Sequence, residues 1–303
     1  MHTSAASRGQ IYVPWINWAL LASVLTLVIT FKSSAALAYA FGMAVTGTIT
    51  ITTLLFFYVV RHHWCQPLWL VAPGATVLLV IDLLFFAANL TKLVHGAWLP
   101  LLIAIAVFTI LTTWQKGRQL VTRLRQQDEG PLQAFIDQLH AMKPPLPRVP
   151  GTAVFLNRGK ATAPLALRAN VEHNRVRHEY VIILTIETTP VPHVPAAQRL
   201  TIDPLGHRDD RITHVTARFG YMDQVNVPAL LPLIQQADLE SPLDPGAVSF
   251  FLSTIALRLG GTPGMSRWRK RLFLATAQTT ADAAEYFQLP RERTVIMGSR
   301  IEL

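Results

Sequence analysis

Residues 34–53, SAALAYAFGMAVTGTITITT, carry no charge and are apolar enough for the interior of a bilayer. Small residues recur at every fourth place: Ser34, Ala38, Gly42, Thr46 and Thr50. On a helix those positions form one nearly continuous stripe, and in lipid such a stripe lets a second helix approach closely. Thr46, Thr48, Thr50, Thr52 and Thr53 add hydroxyls that bond either to a carbonyl one turn back or across to a neighbour. The stretch predicts a membrane helix buried in a bundle. Ser34, Ala38 and Gly42 are its helix-packing candidates. Thr46 and Thr50 are candidates for a polar surface along a solute path, with tight packing alone as the plainer alternative.

Three more stretches have the same character. Spans are predicted at about 13–31, 36–60, 68–89 and 97–114, each long enough to cross the hydrocarbon core. Trp15, Trp18, Trp98 and Trp114 lie near span ends, where interfacial aromatics belong. Lys116, Arg118, Arg123 and Arg125 follow the fourth span directly, which marks that side as cytoplasmic. An even number of spans puts the N-terminus on the same side, and Arg8 and Arg61 agree. The polar start, residues 1–12, is expected to remain in the chain, because no small-residue cleavage pattern follows the first apolar run.

Composition divides the chain in the same way. Of 303 residues, 51% are hydrophobic and only 15% charged. Residues 1–114 hold four Lys/Arg and a single acid, Asp82, whereas the remainder holds 23 basic and 17 acidic residues. The net charge of +9 comes without any nucleic-acid recognition motif, and a basic protein beside an anionic leaflet needs no such partner. One cysteine, Cys65, excludes an intrachain disulfide and a cysteine-built zinc site.

The remainder predicts a small cytosolic α/β domain. Residues 115–143 suggest a basic juxtamembrane helix, broken near Gly130-Pro131, whose basic face would lie on anionic lipid. PPLPRVPG, 144–151, suggests a stiff linker. Within 151–303, β-branched runs predict strands at 152–156, 180–188, 198–203, 212–221, 247–253 and 293–302. Longer periodic runs predict helices at 163–174, 226–236 and 266–288.

Few residues invite chemistry. Asp82, inside the third span, is expected to face the bundle or water, because a carboxylate in lipid is costly. It is an ion-path candidate; a structural carboxylate held by hydroxyls or by Lys92 is the alternative. GGTPG, 260–264, followed by a helix carrying Arg267, Arg269, Lys270 and Arg271, resembles an anion cradle, with Gly261, Gly264, Arg267 and Arg269 as its candidates. It has neither the Walker nor the dinucleotide-fingerprint spacing, and an ordinary loop before a solvated basic helix is the alternative. The ten histidines form no metal-ligand spacing. No GxSxG or HExxH motif is present, so neither an enzyme nor a bound cofactor is expected.

Three membrane blocks, GQIYVPWINW (9–18), FKSSAALAYAFGMAVTGT (31–48) and FFAANLTKLVHGAWLPL (85–101), resemble the late membrane segment of the KUP/HAK/KT potassium uptake permeases. RVPGTAVFL (148–156), HNRVRHEYVIILTIET (173–188) and PRERTVIMGSRIEL (290–303) continue the resemblance through nearly the whole chain. It implies an importer of potassium, generally proton-coupled, in a bacterial inner membrane. Its bundle would be like that of the amino-acid/polyamine permeases, followed by a cytosolic C-terminal domain. This chain would match the last four helices and that domain. The family's early glycine- and acid-containing motif has no counterpart here, and Phe41 stands where the family usually has tyrosine. The expectation is a truncated or split member that does not transport alone. Its candidate partners would be the lipid bilayer, potassium, the missing N-terminal helices or a split-gene subunit, and a second copy joined through the cytosolic domain. The alternative is a membrane-anchored regulatory or ligand-sensing protein acting through that domain.

Overall fold

The computed structural model describes residues 10–205, 210–236, 246–277 and 283–303. They divide into two compact units, Val13–Thr112 and a second made mainly of Thr113–Leu303.

The first unit is helical. Its helices are α1 (Pro14–Phe31), α2 (Ser34–His62), α3 (Leu68–Leu90) and the start of α4 (Trp98–Glu129). All four are long and apolar enough to cross a membrane. Pro14 opens α1 at a position whose N–H has no helical partner. Lys32 ends it in the left-handed conformation, its N–H donating to the Val28 carbonyl. The outer faces, such as Trp15, Phe41, Leu84 and Phe108, are exposed, as expected where lipid is the solvent.

The second unit is a mixed α/β fold. After α5 (Leu132–Ala141) come β1 (Arg148–Asn157), α6 (Leu165–Ala169), β2 (Arg177–Thr189), α7 (Ala196–Arg199) and β3 (Leu200–Asp203). Then follow β4 (Ile212–Gly220), α8 (Leu231–Gln236), β5 (Val248–Arg258), α9 (Arg267–Ala277), α10 (Ala283–Tyr286) and β6 (Thr294–Glu302). The six strands lie in the order β3-β4-β2-β1-β5-β6. Only the β3–β4 pair is antiparallel. β1 is central and buried continuously from Thr152 to Asn157, the pattern of a parallel strand covered on both faces. Alternate residues feed two cores. Val154 and Leu156 pack with β4, α8 and Leu289, while Ala153 and Phe155 pack with α5 and α6. A third cluster joins Phe273, Ile301 and Leu303 to Trp114, Leu120, Val121 and Leu124 of α4.

Several expectations need correction. The compact α/β unit takes in α4 from Thr113 and α5 as well as residues 151–303. Arg125 and Glu129 of the expected lipid-facing basic helix are buried and paired with each other. Leu132, Phe135 and Ile136 of α5 are core residues. The expected linker is shorter, because β1 already starts at Arg148 and accommodates Pro150 and Gly151 at a register shift between Val149 and Thr152. The helix expected at 163–174 is α6 followed by a π-turn, Asn170–Asn174. The strand expected from 198 begins at Leu200, after α7. Only α9 and α10 are described within the helix expected at 266–288, and residues 278–282 lie outside the described residues.

Candidate functional site: the polar seam between α2 and α3

α2 and α3 run antiparallel and meet along a seam that mixes small and polar residues. An added Cβ at Gly42 would come within 3.0 Å of Asn89 Oδ1, so glycine lets that amide approach without shifting. Asn89 donates to its own helix at Phe85 O, 3.1 Å away, and leans toward Thr46 Oγ1 at 3.5 Å. Gly47 lies against Phe86, and Gly74 of α3 against Phe57 of α2. Between these contacts the Thr53 hydroxyl donates to Asp82 Oδ2 at 2.6 Å. This places the lone acid of the membrane spans, half-buried, on a hydroxyl of the neighbouring helix. The partner is a hydroxyl rather than Lys92. That ammonium lies 5.2 Å from the Tyr39 ring centroid, and Tyr39 also meets the His95 ring edge-on.

The candidates of the small-residue stripe separate. Gly42, Thr46 and Thr50 are half-buried, whereas Ser34 and Ala38 are exposed. The reason is geometric: four residues turn a helix through about 400°, so a strict four-residue stripe drifts by about 40° per step. Gly42, Thr46, Thr53 and Phe57 hold the seam better because their spacing alternates four and seven. The Thr46 hydroxyl bonds to Gly42 O at 2.8 Å and that of Thr50 to Thr46 O at 2.9 Å. Thr48 and Thr52 also bond one turn back, at 2.8 and 2.9 Å. Among the described residues Thr53 alone of the five donates to another helix, while Thr46 accepts from Asn89 across the same seam. The sequence stripe passed over Thr53 and Gly47; the signal for Thr53 was its being out of step with the other threonines.

The second candidate set lies in the α/β unit. Gly261 and Gly264 stand in open space, and Gly264 has φ +121°, a conformation that favours glycine. Arg267 opens α9. Arg269 donates from Nε to Thr113 Oγ1 at 2.9 Å. The buried cation of this region is Lys270, whose Nζ donates to Gly260 O at 3.1 Å and Thr262 O at 2.7 Å. The loop therefore turns two carbonyls, rather than amides, toward that charge. The same loop holds the chain end: Gly260 N donates to Leu303 O at 2.7 Å, and Leu303 is fully buried.

Deeper in the sheet, buried His214 on β4 lies 3.0 Å through Nε2 from the Thr185 hydroxyl on β2. Burial pushes its pKa below the ordinary imidazole value. Among the described residues, no group of three or more His, Cys, Asp or Glu side chains gathers as a metal site would require.

Four bilayer-length helices with a polar seam, followed by a mixed-sheet domain, define an integral membrane protein. Residues 1–119 match the family described as the K+ potassium transporter integral membrane domain, and residues 150–303 match the K+ potassium transporter C-terminal domain. The chain belongs to this potassium transporter family. It is 66% identical over 302 residues to a probable potassium transport system protein Kup of Rhodococcus jostii (strain RHA1), covering 100% of this chain and 46% of the relative. It is 44% identical to a probable Kup 2 of Chromobacterium violaceum, covering 100% of this chain and 48% of the relative. It is 41% identical to a probable Kup of Erythrobacter litoralis (strain HTCC2594), covering 100% of this chain and 47% of the relative. The chain thus spans about half the length of the curated relatives it matches. No solved structure matches.

Proposed function

We propose that this chain acts as the C-terminal part of a potassium uptake transporter in a bacterial inner membrane, coupled to proton entry in the complete assembly. The observation that carries the proposal is coverage: relatives described as potassium transport proteins match all of this chain with less than half of their own length. Transporters of inverted-repeat architecture set two related halves around a midplane site, and four spans cannot furnish both. Transport therefore needs helices beyond those of residues 1–303. Lys116, Arg118, Arg123 and Arg125 favour a cytoplasmic side for the α/β unit, and an even span count favours the same side for the start of α1. Asp82 with Thr53 closes the α2–α3 hairpin within this assembly. An ion-path role for Asp82, Thr46 and Thr50 is the competing assignment.

The test is growth of a potassium-uptake-deficient bacterium at limiting potassium. The chain alone is expected not to restore growth. The chain joined to the N-terminal half of the Rhodococcus jostii relative is expected to restore it. Rescue by the chain alone would refute the need for further helices. Failure of the joined protein, with membrane insertion verified, would refute the transport assignment.

A further inference from the structure

A cleft of about 270 Å³ opens at the end of the sheet where the interior strands β1, β2 and β4 begin. Leu139, Pro145, Leu146 and Ile212 make an apolar wall. Arg148, Arg177, His140 and Asp210 make the polar one. None of these residues takes part in the seam or in the loop held by Lys270.

The charges of the polar wall do not balance. Asp210 is buried, and both of its carboxylate oxygens are engaged within the wall. Oδ2 lies 2.7 Å from His140 Nε2, and Oδ1 accepts from the Ile212 N–H at 3.0 Å. Arg177 donates from Nη1 to the Asp210 main-chain carbonyl at 2.7 Å, a neutral acceptor. Arg148 stands directly opposite Arg177 in the β1–β2 ladder. Among the described residues Arg148 makes no ion pair and no side-chain hydrogen bond. Arg211, close by, is already paired with Glu179. Like charges placed opposite each other on neighbouring strands repel. Burial first, and then the charge of Arg148, pushes the Arg177 guanidinium below its ordinary pKa, against the pull of Asp210. Two guanidiniums with free donors, side by side at the mouth of a partly apolar cleft, fit a planar or tetrahedral oxyanion better than water alone.

We propose that this cleft binds a small organic anion, its carboxylate or phosphate-ester head held between Arg148 and Arg177 and its apolar body lying against Leu139, Pro145, Leu146 and Ile212. The apolar wall is what favours an organic anion over inorganic phosphate, which would leave that surface to water. The site is independent of the transport assignment.

The test is calorimetric titration of the whole chain, purified in detergent at low salt, with sodium hexanoate, phenyl phosphate, inorganic phosphate and neutral hexanamide. At least one organic anion is expected to bind with a dissociation constant below about 1 mM, a level set by a single well-made site. Which of the two binds more tightly separates a carboxylate from a phosphate-ester ligand. Hexanamide and inorganic phosphate are each expected to bind about ten-fold more weakly or worse, since each lacks one half of the recognition. Arg148→Ala should weaken the organic anion about ten-fold, the effect of losing one charge-assisted bidentate partner. Arg148→Lys keeps the charge without the fork and should cost about three-fold, so it carries the comparison if the alanine chain melts early. Absence of organic-anion binding overturns the proposal. So do affinities unchanged in both variants, or inorganic phosphate binding as tightly as the organic anions.

Discussion

Replacing Gly117 by alanine tests whether the C-terminal part of α4 is a built part of the α/β core. Gly117 is buried, and an ideal Cβ there would fall within 2.5 Å of Cγ and Cε2 of Phe273. Phe273 is itself 3% exposed. Trp114 lies against it with ring centroids 5.4 Å apart, and Ile301 and Leu303 share its cluster. The ring cannot withdraw without disturbing these neighbours. Overpacking a core by a methyl costs about 1–3 kcal/mol, and overlap with several atoms of a hemmed-in ring puts this case near the upper figure. Alanine in a helix interior recovers about 1 kcal/mol relative to glycine. The net destabilisation is therefore about 2 kcal/mol, or roughly 4–8 °C in melting temperature for a unit of this size. Thermal melting of the whole chain in detergent, followed by tryptophan fluorescence, measures it. Adding Phe273→Leu removes part of the ring, so the double variant should be less destabilised than the sum of the two single ones by about 1 kcal/mol. A Gly117→Ala chain that melts at or above the parent temperature would show that propensity, not packing, governs this helix and would refute the reasoning.

Three further outcomes follow from particular contacts. Thr53→Val keeps the shape of the side chain but leaves Asp82 without its hydroxyl. It is expected to cost about 0.6–1.7 kcal/mol in detergent, the range measured for hydrogen bonds between membrane helices, and a Thr53→Val, Asp82→Leu double-mutant cycle, which removes the donor and the acceptor in turn, should return that coupling. Additive effects would show the contact to be incidental. Lys270→Met leaves the Gly260 and Thr262 carbonyls without their donor. It should lower stability by about 1–3 kcal/mol and speed proteolysis in the 259–266 loop, and an unchanged cleavage rate would count against the clasp. His214 and His178 both have pKa values pushed below the ordinary imidazole value by burial. The unfolded chain then binds more protons, so stability is full above about pH 6.5 and falls as pH drops from there toward the folded values. Acid titration of the melting temperature should show this loss, and His214→Gln should flatten it. An identical pH profile in the variant would remove His214 from the account.

Much of the architecture was legible in residue order. Four spans follow from apolar length alone, because the bilayer sets a minimum run that few soluble segments satisfy. All six strands follow from β-branched runs bounded by turn residues, since that chemistry fits a pleated surface whatever lies beside it. That α4 and α5 would pack onto the α/β domain was not legible. The amphipathic pattern of 115–143 shows that one face is apolar, but not whether lipid or the faces of α9 and β6 will cover it. The small-residue stripe of α2 was legible as a packing surface, though not in its true direction, because the drift of a four-residue repeat matters only once a second helix sets the line of contact.

Sequence by itself therefore determined the class of this protein. Membrane spans, strand chemistry and family resemblance are properties of local runs, and solvent, propensity and covalent order settle them. Tertiary structure alone decided the pairs. Thr53 meets Asp82 across 29 residues, and Lys270 reaches two carbonyls that precede it by 8 and 10 residues. Arg148 is set opposite Arg177 by a parallel register. Such pairings depend on where separate segments come to rest, which is fixed by the joint burial of many apolar faces and not by any one stretch of residues.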